Sequence, residues 1–306
     1  MTDTVGIYRI SGPPEGRELR MDSVLKRVAV ASTTHLPFFT ALGAADMVVG
    51  VAHADQVRDR QVVARIKAGT TVEIARAEGL DRERMIALDP QVLFDYPFGR
   101  GEQGSAAFER TIAVTEYLEE HPLGRAEWIR FFGLLLGQQQ RADSMFAAIA
   151  HRYTTARDLS RFTGGAPKVL FGSHWEQRWY APPGNSYMAT LINDAGGRYW
   201  FSDSLATGNI TVPLEEVLNI GAAVGHVGVL LADRERVDAR AMVGGDPRLG
   251  SMTAVRKGGF VGNSAQHDLF GQALLEPEVV LQDLRCIFHP EACQGHKARY
   301  FFPVAQ

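Results

Sequence analysis

The segment Asp81 to Leu88 is echoed more than a hundred residues later by Pro213 to Ile220. Glu83 falls on Glu215, while Met85, Ile86 and Leu88 fall on Val217, Leu218 and Ile220. Each segment is followed by an apolar, strand-like run and preceded by a strand, a helix and a terminating glycine. A solenoid repeats every 20–50 residues or so, and this echo is far longer. It therefore indicates two similar α/β lobes with a cleft between them. The length of 306 residues is long for one domain and comfortable for two.

The runs between the echoed segments fit βαβ units. Lys26 to Ala31 is a compact apolar run suited to a buried parallel strand. Ser32-Thr33-Thr34-His35 supplies helix-starting chemistry, Pro37 is tolerated in a first helical turn, and Leu42-Gly43 ends the helix. Met47 to Val51 reads as the next strand. The amphipathic helix Leu80 to Leu88 is closed by Asp89-Pro90 and followed by the strand Gln91 to Tyr96 and a loop through Arg100. From Gly124 to Phe162 there is no proline and apolar residues recur at helical spacing, with Gly137 as a point of division. That stretch predicts either a core helix pair or a rigid spine joining the lobes. The second set of runs is a strand from Lys168 to Gly172, a helix from Ser186 to Ala195, and a strand from Val227 to Leu231. The expected division is an N-terminal lobe over 1–137, a bridging helix over 138–163 and a C-terminal lobe over 164–306.

Charge excludes little. A net charge of −3 gives no basic stripe for nucleic acid and no acidic tail. No run of about 18 apolar residues occurs, so no transmembrane helix is expected. The start, Met1-Thr2-Asp3-Thr4, lacks the basic and apolar regions of a secretory leader, which a protein working outside the cytoplasm would need. Cys286 and Cys293 are close enough in sequence for one disulfide in an oxidising compartment, or are two unrelated thiols.

Several phrases, in order, resemble the helical-backbone periplasmic binding proteins (class III, cluster A) of importers for iron-siderophore, haem and cobalamin. They are Arg27 to His35 with Leu42-Gly43, then Leu80 to Leu93, Glu116 to Trp128, and Pro183 to Met188. The resemblance covers roughly Arg27 to Pro290. It implies two Rossmann-like α/β lobes with parallel-rich sheets, joined by a long bridging α-helix, with ligand in the cleft. It also implies partners: an ABC permease and its ATPase subunits, with membrane contact only through the permease or a lipid anchor, and a monomeric, periplasmic or otherwise extracytoplasmic protein. Members present one glutamate per lobe to permease arginines, and Glu83 and Glu215 match those positions. Two charge pairs would orient a docked complex and speed encounter; the alternative is plain surface glutamates favoured at helix starts.

Ligand residues are expected on loops at the cleft ends of the strands. These are Thr34, His35, His53, Tyr96, Phe98 and Arg100 in the first lobe. In the second they are Trp175, Arg178, Trp179, Tyr180 and Tyr187, with His267 further along. The aromatic members suit a flat catecholate or macrocycle, and Arg100 and Arg178 would answer a negatively charged chelate. No catalytic residue, resident metal or cofactor is expected. The stretches before Glu83 and Glu215 (Ala75-Arg76-Ala77 and Gly208-Asn209-Ile210) lack the tryptophans common in cobalamin-binding members, which favours an iron chelate. Cobalamin or haem binding in the same fold, a free zinc or manganese binding protein, and a two-lobed enzyme stay open. Against the enzyme stand the absence of a Gly-x-Gly-x-x-Gly after a strand, of a Gly-Lys-Ser/Thr loop, and of a complete nucleophile elbow at Gly172-Ser173-His174.

Overall fold

The computed structural model describes residues 7–9, 18–20, 23–76, 79–96, 108–159, 165–230, 246–263, 267–293 and 295–304. The chain divides into two compact units. The first comprises Met1–Tyr117, Glu127–Ala147 and Phe270–Gln272; the second comprises Leu118–Ala126, Ala148–Leu269 and Ala273–Gln306.

In the first unit a short antiparallel pair, β1 (Ile7–Arg9) and β2 (Glu18–Arg20), precedes the main sheet. Then follow β3 (Val28–Val30), α1 (Leu36–Ala41), β4 (Val48–Val51), α2 (Arg60–Lys67) and β5 (Val72–Glu73). A small ribbon of β6 (Ala75–Arg76) and β7 (Gly79–Leu80) leads to α3 (Arg82–Leu88), β8 (Val92–Asp95) and β9 (Thr111–Ala113). The sheet order is β5-β4-β3-β8-β9, parallel throughout. Every residue of β3, β4 and β8 is buried, as a sheet covered on both faces requires. Local chemistry sets the helix ends. Ser32 Oγ accepts the Thr34 N–H ahead of α1, Gly43 follows α1 at φ +71°, and Asp81 caps α3 through Arg84 N–H at 3.0 Å.

Helix α4 (Pro122–Leu135) gives the first unit Phe132, which packs on Phe38, Phe39 and Phe94 with ring centroids 4.8–5.1 Å apart. All four rings are fully buried, each contributing about 2 kcal/mol of apolar burial. Gly137, at φ +68°, separates α4 from α5 (Gln139–Leu159). Helix α5 begins in the first unit and ends in the second, and helix α4 begins in the second and ends in the first.

The second unit contains β10 (Lys168–Trp175), β11 (Arg178–Ala181), α6 (Tyr187–Asp194), β12 (Arg198–Tyr199), β13 (Ile210–Pro213), α7 (Leu214–Gly221) and β14 (His226–Val229). It ends with α8 (Thr253–Arg256), β15 (Phe260–Asn263), α9 (Pro277–Phe288) and β16 (Phe301–Pro303). Its sheet runs β13-β11-β10-β14-β15-β16, with β12 also on β10. The centre is parallel, and β11, β13 and β16 add antiparallel strands. Trp179, Tyr153, Tyr199, Tyr300, Phe171 and Phe301 fill this core. Its phenols are satisfied: Tyr153 donates to Asp194 at 2.6 Å, Tyr300 to Glu276 and Tyr199 to the Pro182 carbonyl at 2.5 Å. Cys286 and Cys293 form a disulfide at the end of α9.

Two features differ from the sequence reading. Helix α2 stands in a stretch read without structure; only Val62 of it is buried, so its apolar face is too thin to signal. The stretch 174–180, expected as a loop, is instead the hairpin of β10 and β11, turning through Glu176 and Gln177 at φ +46° and +62°. A two-residue turn with both residues left-handed matches the twist of the strands.

Candidate functional site

In the first unit the chain winds outward from β3 through β4 to β5, then returns to the other side of β3 with β8 and β9. Such a reversal opens a crevice beyond the carboxyl ends of the two adjoining strands, where ligands of α/β sheets bind. The residues following β3 and β8 are Ser32 to His35 and Tyr96, and those following β9 include Glu116 and Tyr117.

These side chains form one network. Thr34 Oγ1 donates to Glu116 Oε1 at 2.5 Å, and Ser32 Oγ lies 2.9 Å from Thr34 Oγ1. His35 Nε2 is 3.4 Å from Glu116 Oε2, an ion-pair distance, with both residues almost wholly buried. Burial alone would push the Glu116 carboxyl up, but His35 and the Thr34 hydroxyl outweigh it and hold it below its ordinary range. The Tyr96 and Tyr117 rings meet edge to face at 5.2 Å, and burial together with Glu116 pushes the Tyr117 phenol up. Asp95, ending β8, is also buried. The structure thus brings Thr34, His35 and Tyr96 to one edge. It adds Glu116, Tyr117 and Asp95, which the sequence reading passed over as site residues. The signal lay in strand order: β9 adjoins β8, so the turn after it borders the same crevice.

His53 lies at the end of β4, exposed and left-handed at φ +56°. Its N–H donates to Glu73 at 3.1 Å, and Ala54 and Ala75 N–H groups donate to the same carboxylate. Phe98 and Arg100 lie outside the described residues.

In the second unit the reversal falls at β10, with β12 on one side and β14 on the other. Beyond it stands the hairpin, which carries Trp175 at 65% exposure, an exposed Arg178 and a half-buried Tyr180. Trp179 has no exposed surface and its indole N–H donates to the Phe171 carbonyl at 3.3 Å; its strand turns it into the core. Tyr187 is buried at the start of α6 under the Arg125 guanidinium, 4.1 Å from its ring centre. Burial pushes that phenol up while Arg125 draws it down. His267 is half-buried, its ring 6.2 Å from Tyr300. Among the described residues no group of three or more His, Cys, Asp or Glu side chains is arranged to hold a metal ion.

Glu83 and Glu215 are both exposed, and each is the second residue of its helix, α3 or α7. Each helix feeds the strand beside its unit's first parallel strand, β8 against β3 and β14 against β10. The sequence echo is therefore also an echo of topology. Near Glu215, Arg248 donates to Asp246 through Nε and Nη2 and also reaches Gln177 in the hairpin turn. Those bonds from Arg248 hold Asp246 below the ordinary carboxylate range.

Among solved structures, a periplasmic haem-binding protein from Pseudomonas aeruginosa matches with TM-score 0.70 at 19% identity, over 92% of this chain and 100% of that one. A component of an ABC-type Fe3+-hydroxamate transport system from Saccharomonospora viridis matches with TM-score 0.67 at 18% identity, over 90% and 98%. A periplasmic haem-binding protein from Roseiflexus matches with TM-score 0.61 at 21% identity, over 88% and 100%. These likenesses establish the fold. An uncharacterized lipoprotein of Methanocaldococcus jannaschii is 24% identical over 290 residues, 90% of this chain and 68% of that protein. Among the described residues no helix is long and apolar enough to cross a membrane. The family model for periplasmic binding proteins matches residues 28–263, most of the chain: the protein belongs to that family and acts outside the cytoplasm.

Proposed function

We propose that this protein is the substrate-binding subunit of an ABC importer, capturing an iron-siderophore or related metal chelate and handing it to a membrane permease driven by its ATPase. In this reading the ligand lies in a cleft between lobes spanning 1–137 and 164–306, with 138–163 as the bridge. The observation that carries the reading is the matched position of Glu83 and Glu215, one exposed carboxylate at the same helical position in each unit. A protein that only stored its ligand has no use for such a pair, whereas docking to a two-fold permease does. The name of the Saccharomonospora relative supports an iron chelate, and the names of the haem-binding relatives support haem as the second reading. The name of the Methanocaldococcus relative supports a lipid anchor. The mechanism is capture and docking, without bond chemistry on the ligand.

Titration of tryptophan fluorescence with ferric siderophores, haem and cobalamins tests the reading. Saturable quenching by one chelate is expected, and Trp175, the exposed tryptophan of the hairpin, is the natural reporter. Silence across the panel, with quenching by free zinc or manganese instead, would overturn it.

A further inference from the structure

Helix α3 turns Met85 and Leu88 inward, Met85 joining a core that includes Ala29, Ile74 and Leu93. Its opposite face carries Glu83 and, one turn on, Ile86, which is 77% exposed. Residues three apart lie on one side of a helix, so this carboxylate and this aliphatic side chain are neighbours. Nearby charges are engaged within the protein. Arg84 donates to the Glu73 carbonyl at 2.7 Å and lies 3.8 Å from Asp81, and Asp89 accepts from Arg110 at 2.5 Å. Arg82 is next to Glu83 in sequence but points about 100° away round the helix. Among the described residues no hydrogen bond or ion pair engages the Glu83 side chain. Stability gives no reason for isoleucine at position 86: it buries little there, and β-branching makes it a poorer helix former than Leu, Lys or Glu. One exposed aliphatic residue is ordinary by itself. This one recurs. Leu218 stands at the same place in α7, three residues after Glu215, and is only half-buried against the second unit's core. A glutamate followed one turn later by an aliphatic side chain at the surface is thus built into both units.

We infer that Ile86 is an apolar anchor of the docking surface, with Leu218 as its lesser counterpart in the second unit. The partner it fits is a permease segment that sets a basic side chain against Glu83 and an apolar hollow over Ile86. This rests on the proposal that Glu83 and Glu215 dock to the permease. The two neighbours then do different work. The carboxylate steers encounter through its charge, and the isoleucine slows dissociation by burying apolar surface. A covered aliphatic side chain also keeps water from the adjoining charge pair, and that pair is stronger where it is less hydrated.

The experiment measures binding of the whole protein to vesicles carrying the permease and its ATPase, at low and at high salt. Ile86→Ser is expected to weaken docking about tenfold at both, the scale of one aliphatic side chain buried at an interface. Glu83→Gln should weaken it chiefly at low salt, where an exposed charge is least screened. Ile86→Leu should regain most of the loss, because the contact asks for apolar bulk. Ile86 is exposed, so the thermal unfolding of both its variants should match that of the wild type. Docking by Ile86→Ser as tight as the wild type, while Glu83→Gln weakens it, overturns this inference and leaves docking through the glutamates intact. If neither change weakens docking, the docking reading and this inference fall together. A loss of chelate affinity in Ile86→Ser, or a change in its sedimentation without the permease, would assign the residue to the ligand or to a second copy of the chain and overturn the inference as well.

Discussion

Asp283 accepts the backbone N–H of Tyr300 at 2.6 Å from a side chain that is only 1% exposed. The same oxygen takes the N–H groups of Arg299 and Phe301 at 3.0 and 3.1 Å, and the other oxygen meets His296 Nε2 at 2.7 Å. One buried carboxylate on α9 thus anchors the strand β16 that ends the second sheet. Asp283→Ala would orphan three backbone donors, of which those of Tyr300 and Phe301 are buried. The expected loss is about 3 kcal/mol, since hydrogen bonds to a charged acceptor are strong and unmade buried ones costly. Asp283→Asn should lose about half as much, because its amide oxygen still accepts. Urea unfolding midpoints of the three proteins measure this, and a loss below about 1 kcal/mol in the alanine variant would remove the anchoring role.

Gly184, within the Pro183 to Met188 phrase, is required for space and not for a turn conformation. A Cβ there would stand 2.1 Å from the Ser202 carbonyl oxygen and 2.7 Å from that of Phe201. Both are backbone atoms, and the Gly184 N–H is itself bonded to the Ser204 carbonyl at 2.9 Å, so the segments cannot part cheaply. Gly184→Ala should cost about 2–3 kcal/mol, in the range of overpacking. Gly165→Ala, with nothing within 4 Å of its Cβ position, should be near neutral. Thermal unfolding of the two variants side by side checks the contrast.

The parts of the fold legible in the sequence are those whose signal is local. The apolar run at Lys26–Ala31, the cap at Ser32 and the stop at Gly43 each set their element by nearest-neighbour chemistry. The hairpin at Glu176-Gln177 was not legible, because neither residue is one that normally takes a left-handed conformation. Asn-Gly or Asp-Gly would have announced that turn. What compels it is tertiary: Trp179 is drawn into the core and Arg248 clasps Gln177 from a distant segment. The site shows the same division. Thr34 and His35 follow directly from the end of a strand, whereas Glu116 joins them from 82 positions beyond Thr34 only through the parallel pairing of β8 and β9. Such pairing has no signature in a single sequence. Trp179 illustrates the converse error, since alternation along a strand sends neighbours to opposite faces and a flat aromatic run cannot all line one wall.

Acid should weaken the first unit through Glu116. Its carboxyl is held below the ordinary value of 4.5, so between its folded value and 4.5 the unfolded chain binds more protons than the folded one. The stabilisation is therefore fully present above about pH 4.5 and is lost as pH falls through the folded value. Protonation would also leave His35 facing a neutral partner in a buried place. Glu116→Gln has no such proton to gain, so its stability should fall less steeply than the wild type below pH 4.5. Asp246, depressed for its own reasons, contributes equally to both proteins and cancels in the comparison. Denaturation midpoints across that range measure the slopes, and parallel curves would show that the pair does not stabilise the fold.

Glu83 and Glu215 provide the test of docking. Both are exposed at the second position of a helix, where the macrodipole contributes about 0.5 kcal/mol. Glu83→Lys and Glu215→Lys should therefore each leave folding and chelate affinity close to wild type. Uptake into vesicles carrying the permease and its ATPase should fall sharply with either change and disappear with both, because each reversed pair turns attraction into repulsion. The two changes need not be equal. Glu215 lies in the field of Arg248, which is itself clasped by Asp246, so part of its charge is already answered within the protein. Glu83→Lys is accordingly expected to cost transport more, and Arg248→Gln to strengthen docking through Glu215. Transport that survives the double reversal would reduce both residues to helix-start glutamates and remove the docking assignment.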